Sequence, residues 1–408
     1  MTGGLPDVDI PEVSYSVSWE SSITEVPKNS WDALTESLST PLLDWEWLRQ
    51  MEESGSIRPQ TGWLPVHLTL KSGSDLLAAA PLYVKGHSEG EFVWDYMWAD
   101  VATRLKTKYY PKLIGMSPAT PAVGYRFLIA PGEDEEQLTG VMLAAIDQFC
   151  EANELSGCSF HFADPEWRSL VEKFGYTPWL HQSYEWQNRG FTSFDDYLSS
   201  FTKNQRRNIR RERRAMEEQG LQVRALTGDA ISDRNLDLMY NYYEDTNAQF
   251  GPWAAKYLNR EFFKGLWANY RHRLLIIAAY DSDTGEDPVG MSFLITKADT
   301  LIGRYWGATA RYNALHFNAC YYSPIEWAIE HGIKRFDPGA GSPHKLRRGF
   351  EAVGNYSLHR FRDPTLRRVM ENHIEEINGM EEQRIAEMNN HVPFKEEHRQ
   401  NGELKLTY

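Results

Sequence analysis

The sequence predicts an α/β protein made of two tandem lobes, each with a mixed central sheet flanked by helices. Two observations lead there. The 408 residues are more than one ordinary core takes up. The halves also run through one order of elements: strand, helices, strand meander, long helix, strand, short helix, strand.

In the first half, VSYSVSW from about residue 13 alternates like a strand, after a Pro/Gly/Asp-rich stretch to residue 14 that reads as loose. Trp31–Leu38 and Asp44–Glu53 read as short helices, and Pro65–Leu70, Asp75–Val84 and Tyr125–Ile129 as strands. Glu135–Asn153 is a helix, with Leu138, Val141, Met142, Ala145, Ile146 and Phe149 close to a 3.6 period. Cys158–Phe162 is a strand, Pro165–Phe174 a helix with proline in its first turn, and Tyr184–Gln187 closes the unit. In the second half, Leu221–Leu226 is a strand, followed by helices at Asn235–Phe250 and Arg260–Tyr270. Leu274–Tyr280, Val289–Thr296 and Thr300–Gly307 form a meander, and Ala314–His331 one helix ending at Gly332. Arg335–Pro338 is a strand, His344–Phe350 a helix and Tyr356–Phe361 the last strand. Residues 364–390 read as helical, and from Val392 the tail reads as polar and frayed. The expected organisation is a first domain at 15–188, a basic connecting helix at 189–220, a second domain at 221–375 and a C-terminal tail at 376–408.

Composition bounds the function. A net charge of −14 disfavours DNA and anionic membranes as partners. Cys150, Cys158 and Cys320 show neither CxxC spacing nor a metal-ligand pattern, so no metal site and no disulfide framework is expected. The N-terminus lacks a basic, then apolar, leader, and no apolar run reaches about 18 residues. These features read as a cytoplasmic protein without membrane insertion. The sequence leaves the oligomeric state open.

The densest block of polar residues is Leu301–Phe350. There GRYWG, LHFNACYY, the FDPGAGSPHK turn and RRGF place Arg304, Tyr305, Trp306, His316, Asn318, Tyr321, Gly339, His344, Lys345 and Arg348 at strand and helix ends, where ligand sites of open α/β folds form. Strand alternation puts Arg304 and Trp306 on one face and Tyr305 on the other. A second feature is FTKNQRRNIRRERR, in which Lys203, Arg206, Arg207, Arg210, Arg211, Arg213 and Arg214 face Glu212 alone, a local charge of +6. A thin apolar stripe through Leu198, Phe201, Ile209 and Met216 lays this helix on the body with its arginines outward. Lys203, Arg206, Arg207, Arg210 and Arg214 then suit phosphates, including an RNA backbone; the plainer reading is a surface helix paired to acidic neighbours.

The order of elements resembles the GNAT acyltransferase fold, occurring twice. Neither half has the glycine turn that holds a CoA pyrophosphate: the helices are entered through IAPGEDEEQL and TARYNALHFN. Two tandem GNAT-like (acyl-CoA N-acyltransferase-like) domains without that loop, together with the quoted motifs, resemble the FemAB-like branch of peptidoglycan biosynthesis and recognition proteins, over about residues 15–375. The pattern departs from that branch at Asn318, where it carries Glu, and at Ser342 and Pro343, where it carries Gly and Glu.

The resemblance implies transfer of an acyl or aminoacyl group onto a small-molecule or peptide amine, with a degenerate first domain and the reaction in the second. It implies no tightly bound cofactor; the co-substrate is aminoacyl-tRNA or acyl-CoA, and tRNA is a partner in the former case. His316 and His344 are candidate bases, since imidazole takes a proton near neutral pH. Lys345 is the candidate electrostatic group for a carbonyl oxygen. Arg304, Tyr305, Trp306, Asn318, Tyr321, Gly339 and Arg348 are candidate substrate contacts. Cys320, four residues after His316, reads as a buried helix cysteine in preference to a thioester nucleophile. Two rivals remain: a plain acyl-CoA N-acyltransferase, and a non-catalytic module that recognises a cell-wall precursor or peptide.

Overall fold

A computed structural model describes residues 15–251, 254–282 and 285–398. The loose N-terminal stretch to residue 14 and the polar tail after residue 398 lie outside them. In the first half the strands are β1 (Ser16–Glu20), β2 (Leu64–Pro65), β3 (His67–Ser72), β4 (Asp75–Ala80), β5 (Leu82–Lys85), β6 (Lys112–Gly115), β7 (Leu128–Ile129), β8 (Gly157–Phe160) and β9 (Thr177–Gln187). In the second half they are β10 (Leu221–Thr227), β11 (Leu274–Asp281), β12 (Gly290–Lys297), β13 (Thr300–Ala308), β14 (Arg335–Asp337) and β15 (Glu351–Phe361).

The mixed α/β class stands, but two separate central sheets do not form. One 11-stranded sheet runs through both halves in the order β10-β11-β12-β13-β14-β9-β15-β8-β6-β5-β2, beside a 4-stranded sheet β1-β3-β4-β7. The halves exchange strands. β9, from the first half, pairs with β14 through Gln187 and Trp186. β15, from the second half, lies between β9 and β8. Both are 11-residue strands with no exposed residue, so their pattern marks them as strands without naming their neighbours. The helix Pro364–Asn389 locks the exchange. Asn378 accepts from Leu180 N at 2.8 Å and donates to Pro178 O at 3.0 Å, and Asn389 bridges both backbone groups of Ala352.

Local departures have local causes. The expected strand Asp75–Val84 breaks at Pro81, which cannot donate to a ladder; β4 stays in the small sheet and β5 joins the large one. The expected helix 314–331 contains a π segment at Asn318–Tyr322. Pro324 has no N–H to offer the Ala319 carbonyl, and Ser292 Oγ donates to it instead at 2.6 Å. His344–Phe350 forms a 3₁₀ helix, Pro343–Arg348, ended by Gly349 at φ 75°. A helix at Tyr96–Arg104 has no counterpart in the expectation. The tail is ordered past Val392 as far as described: Val392 and Phe394 are buried, and Phe394 meets the Phe201 ring at 4.9 Å.

Candidate functional site

β13 and β14 run parallel but pair only at Thr300–Ile302 with Arg335–Asp337. Past that point β13 continues to Ala308, while the other chain turns off at Pro338-Gly339. Gly339 N donates to Asp337 Oδ1 at 2.7 Å. Its φ is 77°, and a Cβ there would lie 2.9 Å from Gly303 O, so the turn needs glycine. The splay opens a cleft of about 320 Å³. Its walls come from both halves: Phe92, Ala119 and Pro121 from the first, and Tyr243, Arg304, Trp306, His316 and Lys345 among those from the second.

A β-bulge shapes the near wall. Leu294 pairs with Gly303 and Phe293 with Tyr305, leaving Arg304 without a partner across the ladder. The expected alternation is therefore broken. Arg304 swings to the side of Tyr305, donating to its hydroxyl at 2.9 Å and to Ala119 O at 2.7 Å. Tyr305 packs on Tyr243 at 4.8 Å, whereas Trp306 meets the His316 ring at 5.1 Å.

The floor is set by the π segment and the 3₁₀ helix. Extra winding at 318–322 brings Cys320 and Tyr321 into the lining beside His316. Tyr321 Oη lies 3.0 Å from His344 Nε2, and the two histidine rings stand 5.6 Å apart. His344 thus backs the cleft through Tyr321 and does not line it. Burial, then His344, Arg348 and Lys345, push the His316 pKa down to about 4, so its imidazole is neutral at physiological pH. Lys345 is 2% exposed, and its ammonium donates to the carbonyls of Gly339 and, at 3.0 Å, Ala340. Burial lowers its pKa to about 8, against the pull of Asp337. Asp337 lies under the turn; burial raises its carboxyl to about 6, opposed by Gly339 N–H, Lys345 and Arg304. Burial also pushes the Cys320 thiol well up, which makes it a poor nucleophile.

Two expected contacts lie elsewhere. Arg348 is buried under the arginine helix, with its guanidinium 3.0 and 3.2 Å from the Glu212 carboxylate and 3.3 Å over the Phe317 ring. Tyr322 Oη donates to the same carboxylate. Asn318 is buried and donates to Glu212 O and Ala314 O, both at 2.9 Å. A carboxylate at position 318 would meet this packing and not the cleft.

The basic helix itself spans Lys203–Glu218. Gln205, Ile209, Ala215 and Met216 are buried, while Lys203, Arg207, Arg210, Arg211 and Arg214 are exposed. Arg213 pairs with Glu326 at 2.6 Å, Arg210 approaches Asp195 at 3.8 Å, and Arg206 donates to Ser199 O at 3.3 Å. Lys203, Arg207, Arg211 and Arg214 have no ion-pair partner among the described residues.

Sequence reasoning did not name the first-half wall, Asp337 or Glu212 for this site. Asp337 stood inside the FDPGAGSPHK turn and Glu212 was the lone acid among the arginines, so both left a signal; Phe92 and Ala119 left none. No helix among the described residues is long and apolar enough to cross a membrane.

The chain is similar to the crystal structure of FemX, at 10% identity and a TM-score of 0.54 over 85% of this chain and 98% of that one. It is similar to L-PGS from Bacillus licheniformis at 12% identity and a TM-score of 0.50, over 85% and 97%. At these identities the likeness is one of fold. No curated protein matches the chain. The model of one family, FemAB-like, described as peptidoglycan biosynthesis/recognition, matches residues 22–396. The chain belongs to the FemAB-like family of peptidoglycan biosynthesis and recognition proteins.

Proposed function

We propose that the chain transfers an acyl or aminoacyl group to an amine in the β13–β14 cleft. The observation that carries this reading is the pairing, in one cleft, of a neutral buried imidazole (His316) with a buried lysine (Lys345) whose ammonium persists below about pH 8. The amine nitrogen attacks the donor carbonyl, a C–N bond forms, and the oxygen gains charge. Lys345 opposes that charge from a water-poor site. His316 accepts the amine proton as the C–N bond forms and returns it to the leaving oxygen as the ester C–O bond breaks; a base this weak works only in concert with that departure. Tyr321 and His344 hold the imidazole side of the floor.

The donor in this reading is aminoacyl-tRNA. Lys203, Arg207, Arg211 and Arg214 project from one helix of an otherwise acidic protein, free to meet phosphates. The long helix of the second half is entered at Ala314, without the glycine turn that would cradle a CoA pyrophosphate. Titration of the purified protein with aminoacyl-tRNA and with acetyl-CoA tests this. Binding of the first and not the second is expected. Tight acetyl-CoA binding overturns the donor assignment, and stoichiometric binding without turnover overturns the catalytic one.

A further inference from the structure

The chain from Gly90 to Tyr96 passes the cleft at Phe92, with its side chains sorted in and out. Glu91, Val93 and Asp95 are buried, while Trp94 and Tyr96 are 68% and 57% exposed. The two buried carboxylates close on one amine. Lys112 Nζ lies 2.8 Å from Glu91 Oε2 and also pairs with Asp95, which accepts from Tyr109 Oη at 2.8 Å. Trp94 therefore sits between two buried anchors and is held outward. Phe92 stands at φ 56°, a conformation that bulky residues take only where their surroundings impose it. It lines the cleft and meets Tyr257, another lining residue, edge-on at 5.9 Å.

Beyond Phe92, the rings of Trp94 and Tyr96 lie nearly parallel, 26° apart in plane with centroids 6.4 Å apart. Phe250, 59% exposed, belongs to the cleft lining. Exposed aromatics scattered singly need no explanation. Here two rings stand together, a few residues along the chain from Phe92 of the cleft lining, on a backbone pinned from beneath, so their faces are set before any ligand arrives.

We propose that Trp94 and Tyr96 form a stacking subsite for a pyranose ring of the acceptor, whose amine-bearing arm enters the cleft. The inference rests on reading the cleft as the acceptor site of a peptidoglycan-family protein. A pyranose has an apolar C–H face that lies flat on an indole or phenol ring while its hydroxyls stay in water, which suits faces that are both apolar and open. An anionic group is not favoured there: Glu89 is exposed nearby, and Arg104 is already paired with Asp100 at 2.6 Å.

The test uses full-length protein labelled with 5-fluorotryptophan, the Trp94 resonance being assigned by its loss in Trp94→Phe. The probes are chitobiose and uridine monophosphate. A saturable shift of the Trp94 resonance with chitobiose, lost in Tyr96→Ala, is expected. A shift with uridine monophosphate alone overturns the sugar assignment, and no shift with either probe overturns the subsite. This readout needs no turnover, so loss of the catalytic reading through Lys345 variants that stay active is a separate result. Where turnover is measured, Trp94→Ala is expected to raise KM for a glycan-bearing acceptor about tenfold with kcat unchanged; an unchanged KM contradicts the subsite.

Discussion

Lys345 and Arg348 lie three residues apart on one short helix and meet different surroundings. A 3₁₀ helix brings i and i+3 onto one face but about 6 Å apart along its axis. That step carries Arg348 past the cleft floor into the packing of Glu212 and Phe317. In the sequence both are cations after a glycine turn, and nothing in the spacing separates them. Arg348→Met strands the partly buried Glu212 carboxylate beside Tyr322, and chemical denaturation should show a loss of about 1.5–3 kcal/mol, the range for hydrogen bonds to a charged group. An unchanged unfolding midpoint would remove Arg348 from the scaffold. Lys345 also sets a pH dependence. Its folded pKa of about 8 lies below the usual lysine value because burial disfavours the charge. Turnover should fall as pH rises through about 8, where the ammonium is lost, and this limb should move to higher pH in Lys345→Arg. A rate that climbs through pH 8 in both proteins would mean that the cation is not the working form.

Elements with a regular period could be read from the sequence; those defined by what they pack against could not. The Glu135–Ala152 helix and the β11–β13 meander are where periodicity placed them. Tyr96–Arg104 was missed because its exposed side mixes Tyr96 and Met97 with Asp100, Thr103 and Arg104, while only Trp98 and Ala102 are buried, so the apolar period is blurred. β6 was missed because a buried lysine, Lys112, opens a four-residue strand. The site motif at 301–350 was legible as a cluster, but the bulge at Arg304 and the π segment depend on neighbours distant in sequence. The arginine helix was legible as an amphipathic element through Ile209 and Met216, but it spans only Lys203–Glu218: Leu198 and Phe201 of the expected stripe precede it, in the short helix Phe194–Ser199 and the link after it. Changing Arg207, Arg211 and Arg214 together to Gln should leave the melting temperature almost unchanged, since exposed charges of this kind contribute about 0–1 kcal/mol each. Affinity for tRNA should drop, and the slope of log affinity against log salt should flatten by about two to three contacts. An unaltered slope would return the helix to a solvated surface.

At the scale of the molecule, strand exchange makes the two halves one folded body, and its interior hides the titratable groups that set its acid stability. His181 and His359 are pushed to about 3, and His161 well below its ordinary value, chiefly by burial. Each is neutral when folded and takes a proton on unfolding below about pH 6.5. Each therefore removes about 1.4 kcal/mol per pH unit as pH falls from there. Glu91, raised to about 7 by burial, and Asp337, raised to about 6, act in the opposite sense down to their ordinary values near 4. His316, held near 4, joins the first group, so histidines outnumber carboxylates. Stability should decline between pH 6.5 and 5, and thermal unfolding across that window should show it; a flat profile would mean that these groups are hydrated in solution. The central claim, that the β13–β14 cleft performs the transfer, is tested most directly by following a labelled amino acid from aminoacyl-tRNA to an amine acceptor with wild type and Lys345→Met. The account predicts transfer by the wild type and a loss of about 100- to 1000-fold in the variant at unchanged tRNA affinity. Near-normal transfer by a folded Lys345→Met protein would contradict it.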